Sequence, residues 1–220
     1  MDCLIEAFIF VQERLKNNTH QMKTTLIEWS NINSGSYHLS GLEKMHKVLT
    51  EAFSRLGGKS KNHESKTFEV IDEKGNVSFQ KTGNLLTIKK RWHKKHRILL
   101  CGHMDTVFTK DSAFQTVSEL KNGYLNGPGV ADMKGGLVVM LHALEAFEQT
   151  PFANNIGWQV IINADEEIGS LGSASFLEEA ANEASLALVY EPSMTPEGVF
   201  AGARKGSGKF SIVVEGVAAH

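Results

Sequence analysis

Cysteine is nearly absent from this sequence of 220 residues: Cys3 and Cys101 are the only two. Two cysteines this far apart make no disulfide framework. That sets aside the small cross-linked secreted domains and fits a reduced, cytoplasmic protein. No run reaches the ~18 apolar residues of a membrane-spanning helix. The N-terminal apolar stretch is interrupted by Asp2 and Glu6 and has no basic leader, so no signal peptide is expected. An excess of one charge sign is missing too: 23 Lys and Arg stand against 25 Asp and Glu, with no long like-charged run. Neither nucleic acid nor an anionic membrane is therefore an expected partner.

Three common motifs fail on inspection. Gly58-Lys59-Ser60 ends like a phosphate-binding loop, but the glycine that the pattern needs five positions earlier is Phe53. The stretch reads instead as a helix C-terminal cap. Gly127-Pro128-Gly129 begins like a dinucleotide fingerprint, but its third glycine is replaced by Asp132. No Gly-x-Ser-x-Gly nucleophile elbow is present.

What remains is a chain with 41% hydrophobic residues, enough for a sizeable core. Residues 4–29 carry apolar positions at mixed helical spacing, which predicts one or two helices. Leu42, Met45, Val48, Leu49, Ala52 and Phe53 recur at helical spacing and predict another, ended by Gly57-Gly58. Residues 67–71 and 85–88 read as strands joined through a Lys74-Gly75-Asn76 turn. Residues 97–101 read as a short strand, continuously apolar from Ile98 to Cys101, of the kind buried on both faces. A glycine-rich stretch then leads to a helix from about Met133 to Phe147. A strand over 158–163, a helix over 172–184 and a strand over 186–190 follow. This alternation predicts an α/β fold: a three-layer α/β/α domain over residues 1–206, with a mixed, mostly parallel sheet. From Lys209 to Glu215 apolar and polar residues alternate. Residues 207–220 therefore read as the first strand of a second, truncated α+β domain, lacking the partners that a strand requires.

Four acidic or histidine clusters stand where predicted elements begin or end. Gly102-His103-Met104-Asp105-Thr106 follows the strand ending at Cys101. Asp132 opens a helix. Asp165-Glu166-Glu167 follows the strand ending at Asn163, and Glu191 follows the strand ending at Tyr190. In an open α/β sheet, sites form beyond the carboxyl ends of the strands. If the strands are parallel, the four clusters meet at one edge. One histidine with several carboxylates suits zinc, manganese or cobalt, and a carboxylate two residues from a histidine can orient its ring. Each cluster also has a plainer reading. The histidine can be an ordinary loop residue, Asp132 a helix cap, the two glutamates a solvated turn, and Glu191 plain loop.

The motifs around these residues resemble the di-zinc family of carboxypeptidases, aminoacylases and deacetylases, with the bacterial glutamate carboxypeptidases nearest in flavour. The resemblance is carried by Gly102-His103-Met104-Asp105-Thr106-Val107, by Tyr124-Leu125-Asn126-Gly127-Pro128-Gly129-Val130-Ala131-Asp132-Met133-Lys134-Gly135-Gly136, by Asn163-Ala164-Asp165-Glu166-Glu167-Ile168-Gly169-Ser170, by Val189-Tyr190-Glu191-Pro192, and by Gly216-Val217-Ala218-Ala219-His220. Order and spacing match from about residue 98 to 220, and residues 1–97 only loosely. The resemblance implies two Zn2+ ions, with Co2+ or Mn2+ also suited to the donors. His103 and Glu191 would bind one ion and Glu167 the other, with Asp132 bridging them on a cis peptide to Met133. Asp105 would orient His103, Glu166 would act as general base, and His220 would belong to the lid domain and face substrate. The implied function is hydrolysis of an amide bond to a free amino acid through a zinc-bridging water, on a small peptide or an N-acyl amino acid. A glutamate at position 191 resembles the carboxypeptidase and acylase branch. The alternatives are a deacetylase or aminopeptidase-like member, or a non-catalytic metal-binding fragment. A late histidine ligand and the rest of the lid domain are not in these 220 residues. The chain alone is therefore expected to be inactive, and a homodimer is expected only with a complete lid.

Overall fold

The computed structural model describes residues 2–72, 74–203, 205, 206, 208, 210 and 212–217. Three helices come first: α1 (Asp2–Asn17), α2 (Thr19–Ser30) and α3 (Leu39–Ser54). On α3 the buried residues Leu42, Met45, Leu49, Ala52 and Phe53 form one stripe, as their spacing demands. The strands β1 (Lys59–His63), β2 (Phe68–Ile71), β3 (Val77–Gln80), β4 (Leu85–Lys90) and β5 (His96–His103) follow. A small pair, β6 (Ser118–Glu119) and β7 (Leu125–Asn126), precedes α4 (Gly135–Phe147). The described elements end with β8 (Ile156–Asn163), α5 (Ala174–Glu183) and β9 (Leu186–Val189).

The main sheet has the order β1-β4-β8-β5-β9. β5 lies parallel to both β8 and β9, while β4 is antiparallel to β8 and to β1. The sheet is thus mixed, and its parallel half contains every strand that leads into an acidic or histidine cluster. One face carries Leu86, Ile88, Leu100, Trp158, Val160 and Ile162 against α2, α3 and α4. The other face puts Leu85, Leu99 and Ile161 against Phe176, Leu177 and Ala180 of α5. Helices on both faces make the α/β/α sandwich. β8 is buried over nearly its whole length, as a central strand covered on both sides must be.

Several local expectations are corrected. The strand at residues 67–71 pairs with β3 through a turn at Asp72–Asn76, not with β4; β2 and β3 form a separate hairpin. Asp72 closes that turn by accepting hydrogen bonds from the backbone N–H groups of Lys74 and Asn76, each at 2.8 Å. Lys59 and Ser60, which read as part of a helix C-terminal cap, instead begin the edge strand β1. Lys59-Ser60-Lys61-Asn62-His63 is too polar to show an apolar alternation, which is how exposed edges are commonly protected from stray pairing. Helix α4 begins at Gly135 rather than Met133. The described residues from 205 to 217 carry no strand, and Phe210, Ile212 and Val214 are exposed. His220 lies outside the described residues. Among the described residues, no helix is long and apolar enough to cross a membrane.

A half-buried ionic cluster ties the antiparallel half of the sheet to the end of α4. Glu148 accepts hydrogen bonds from Arg91, from Lys90 and, at 2.8 Å, from the indole N–H of Trp158. Burial alone would raise the pKa of Glu148, but these donors outweigh it and hold it down to about 2. That lies below the ~4.3 of a free glutamate. The unfolded chain therefore takes up the proton more readily than the folded one, and acid favours unfolding. The cluster's contribution is complete above the free value and is lost as pH falls toward about 2. Melting temperatures of wild type and Glu148→Gln are expected to differ most near neutral pH and to converge as the pH is lowered from about 5 to about 2. A gap that stays constant over that range would remove Glu148 as the source.

Candidate metal centre

The parallel register brings the clusters together. β5 and β8 are paired out to His103 and Asn163, and β5 and β9 out to Cys101 and Val189. Residues just past these positions leave the sheet at one edge: Asp105 after β5, Asp165 to Glu167 after β8, and Glu191 after β9. Asp132 reaches the same edge from the other direction, in the turn that precedes α4. It is not a helix cap. Its backbone is extended (φ −118°, ψ 99°), its peptide bond to Met133 is cis, and α4 starts only three residues later.

Two glycines make this approach feasible. Gly129 turns the chain with φ +72°, in the left-handed region. Gly136, in the first turn of α4, lies so close to β9 that a Cβ there would stand 2.0 Å from the carbonyl oxygen of Tyr190. The start of α4 and the end of β9 therefore meet backbone to backbone, with Asp132 on one side of the contact and Glu191 on the other.

His103 is the buried centre of the group, 1% exposed. Its Nδ1 is 2.9 Å from the backbone carbonyl oxygen of Asp105 and 3.4 Å from the Asp105 carboxylate. Its Nε2 faces three acids: Asp132 Oδ1 at 3.1 Å, Glu191 Oε1 at 3.6 Å and Glu166 Oε2 at 3.9 Å. Donor atoms of His103, Asp132 and Glu191 all lie within 4.8 Å of one another. Glu167 stands outside that trio, although its charge acts on the same group.

The carboxylate of Asp105 is wholly buried and does more than face the histidine. It accepts hydrogen bonds from the Ser36 hydroxyl at 2.8 Å and from the backbone N–H groups of Glu166 and Glu167, each at 3.2 Å. The short turn bearing the two glutamates is thus pinned by its backbone, and its side chains are left for other work. Asp165 is buried as well, but it points into its own loop. It accepts from the N–H groups of Gly172 and Ser173, from the Ser173 hydroxyl and from the Asn163 amide. It is a brace for the turn rather than a ligand.

The electrostatics are those of a place built for a cation. Burial, followed by the charge of Glu191, raises the pKa of Asp132 against the pull of His103. Burial also raises Glu166, with Glu191, Asp105 and Asp132 adding to it and His103 opposing. Glu167 is pushed up to about 7 by burial and by Asp132. Burial lowers His103, yet hydrogen bonding to Asp105 and Glu191 overrides it and carries the imidazole up to about 11. A proton on His103 thus partly offsets a surplus of negative charge. A dication would replace that proton at Nε2 and relieve the carboxylates together. One imidazole and several carboxylates form a hard-to-borderline donor set, so the residues present fit a metal of the zinc, cobalt or manganese kind. Beside Glu167 a cavity of about 660 Å3, bordered by Tyr37, Thr106, Val107, Lys110 and Ile168, gives room for a small molecule.

Three residues that matter here were not singled out from the sequence. Ser36 stands in none of the motifs above, and Asp165 reads only as part of an acidic triplet. Lys134 lies inside the second motif and is 1% exposed. Its Nζ donates to the carbonyl oxygens of Trp29 at 3.1 Å and Ile32 at 2.7 Å, and burial lowers its pKa to about 7.

Comparison with known proteins gives a consistent pattern. The model of peptidase family M20/M25/M40 matches residues 99–211, just over half of the chain. Carboxypeptidase G2 of Pseudomonas sp. (strain RS-16) is 32% identical over 123 residues, covering 56% of this chain and 30% of that protein. Succinyl-diaminopimelate desuccinylase of Ruthia magnifica subsp. Calyptogena magnifica is 32% identical over 152 residues, covering 64% of this chain and 38% of that protein. The chain spans less than half the length of these curated relatives. Among solved structures, human carnosine dipeptidase 1 superposes with a TM-score of 0.65 at 18% identity, over 81% of this chain and 40% of that one. The M20 family metallo-carboxypeptidase Sso-CP2 from Sulfolobus solfataricus gives 0.59 at 21% identity, over 80% of this chain and 38% of that one. At these identities the superpositions speak for the fold alone.

Proposed function

Because the chain belongs to peptidase family M20/M25/M40, we propose that it forms the metal-binding catalytic part of a hydrolase that cleaves an amide bond to a free amino acid. The observation that carries this reading is the convergence of Asp132, Glu191 and Glu166 on one buried imidazole nitrogen, that of His103. His103, Asp132 and Glu191 would hold one divalent ion, zinc by preference, and Asp132 with Glu167 would supply ligands to a second. When bound, such ions supply Lewis acidity toward water and toward a carbonyl oxygen.

The residues of the chain then divide the remaining work. Asp105 fixes the turn that presents Glu166 and Glu167, and its backbone carbonyl holds Nδ1 of His103 so that Nε2 faces the carboxylates. Glu166 acts as general base: a side-chain oxygen takes a proton from the attacking water and passes it to the leaving nitrogen. Its raised pKa suits a group that must both accept and return a proton. The relatives include a carboxypeptidase and desuccinylases, which supports a peptide or an N-acyl amino acid as substrate. The cavity beside Glu167 offers such a molecule room next to the acids. A cytoplasmic location belongs to the same reading.

The test is metal per chain by atomic emission, together with hydrolysis of an N-acyl glutamate before and after chelation. Metal bound through His103 is the expected result for these 220 residues, and hydrolysis that stops on chelation and returns on adding Zn2+ is expected when a lid domain accompanies them. Binding without hydrolysis even then would favour a metal-binding fragment. A His103→Ala variant that retains full metal content would remove the proposed centre.

A further inference from the structure

The donors of the proposed centre lie in the half of the sequence that matches the family model, yet the structure fastens them to a segment that precedes it. We infer that residues 29–36 form a strap that positions the metal ligands, with Ser36 and Lys134 as its two principal fastenings. This inference rests on reading His103, Asp132 and Glu191 as a metal centre.

At its start, the strap is the C-terminal end of α2 and the turn after it, where the last carbonyl groups carry the negative end of the helix dipole and the Trp29 oxygen accepts the Ile32 N–H at 3.1 Å. The Lys134 ammonium donates to the oxygen of Trp29, in the last turn of α2, and to that of Ile32, just past the helix end. Lysine is seldom this deeply buried without a partner, and an apolar side chain of similar length would fill the same space. What the ammonium adds is direction: two hydrogen bonds fix the chain two residues from Asp132. The lysine stem also underlies Gly129, where an added Cβ would meet Lys134 Cδ at 3.2 Å and Thr106 Cγ2 at 3.0 Å. Lys134 thereby touches the α2 end and both sides of the Asp132 turn.

Further along, the strap runs beside the His103 loop like a short strand. The Ser34 hydroxyl donates to the Met104 carbonyl at 2.7 Å, the Thr106 N–H to the Ser34 carbonyl at 3.0 Å, and the Ser36 N–H to the Thr106 carbonyl at 3.3 Å. Gly35 and Thr106 form a parallel bridge. The Ser36 hydroxyl then reaches the Asp105 carboxylate, which in turn holds the backbone of Glu166 and Glu167. One segment of eight residues is thus linked to the His103 loop, to the Asp132 turn and, through Asp105, to the Glu166 turn. Ser36 and Lys134 contact none of the reacting groups, so they are positioning residues.

The test uses the metal-free protein titrated with Co2+, following calorimetry and the visible absorption bands, for wild type, Lys134→Met and Ser36→Ala, with melting temperatures measured alongside. Loss of such an outer partner typically weakens metal binding by about 10- to 100-fold. Each variant is expected to bind Co2+ about tenfold more weakly or worse, with altered bands, because the donors are no longer held in one arrangement. Variants that melt lower but bind Co2+ with unchanged affinity and bands would overturn the inference and leave the metal centre standing. Wild type that binds no Co2+ would overturn the metal centre itself, and the strap with it. Should Lys134→Met not fold, Ser36→Ala, which deletes one hydroxyl, decides alone.

Discussion

Replacing Glu166 with glutamine in the active hydrolase is expected to lower kcat by about 100- to 10,000-fold, the usual span of a general acid–base contribution, while bound metal stays in place. The change preserves the size of the side chain and the backbone N–H that Asp105 holds at 3.2 Å, so the turn keeps its shape. It removes only the capacity to take up and return a proton. Glu167→Gln is expected to behave differently. Its backbone is pinned to the same aspartate at 3.2 Å, but its carboxylate is the proposed ligand of the second ion, so metal per chain should fall toward one. The two adjacent residues can divide the work because Glu166 Oε2 lies 3.9 Å from His103 Nε2 while Glu167 borders the cavity. Steady-state kinetics and metal analysis on both variants separate the roles. Equal loss of metal from the two would show that the division is wrong.

The second large effect is expected at Asp165, which lies between Asn163 and the two glutamates of the proposed site without being placed in the chemistry. Asp165→Ala leaves the Gly172 N–H buried and unpaired, along with the Ser173 hydroxyl hydrogen and one bond of the Asn163 amide, while the Ser173 N–H keeps only the Ser170 carbonyl at 3.2 Å. Each orphaned buried donor costs about 1–3 kcal/mol, and shared relaxation keeps the total below a simple addition. A loss of about 3–5 kcal/mol by denaturant unfolding is the expected outcome. Asp165→Asn should recover part of it, because the amide oxygen can still accept from the two backbone groups. If Asp165→Ala unfolds within about 1 kcal/mol of wild type, the loop from 165 to 173 is held by something other than this carboxylate.

The contrast between these residues shows how far the sequence could be read. The three-layer α/β fold was legible because buried strands such as β8 are continuous apolar runs and α3 keeps its stripe at helical spacing. The meeting of the acidic and histidine clusters was legible because a parallel sheet delivers its strand ends to one edge. The resemblance placed the cis bond between Asp132 and Met133. Edge strand β1 was not legible, because its residues are chosen by exposure to water rather than by packing. The pairing of β2 with β3 was missed because either partner satisfies the local pattern, and only the turn chemistry of Asp72 decides. Ser36 and Lys134 escaped for a further reason. Their partners lie about 70 and 100 positions away in sequence, and a hydroxyl or an ammonium carries no periodicity that betrays a distant acceptor.

The contact of Gly136 with Tyr190 bears on how such a site endures change. Side chains can adopt new rotamers when a neighbour is substituted, so a gap set by side chains drifts as a protein diverges. Here the separation of the Asp132 turn from the Glu191 loop is set by main-chain atoms, at a place where even a methyl group would stand 2.0 Å from a carbonyl oxygen. Main chain is common to all twenty amino acids. Most substitutions around the contact therefore leave the spacing of the donors as it was, and the burden of invariance falls on the single position that must remain without a side chain.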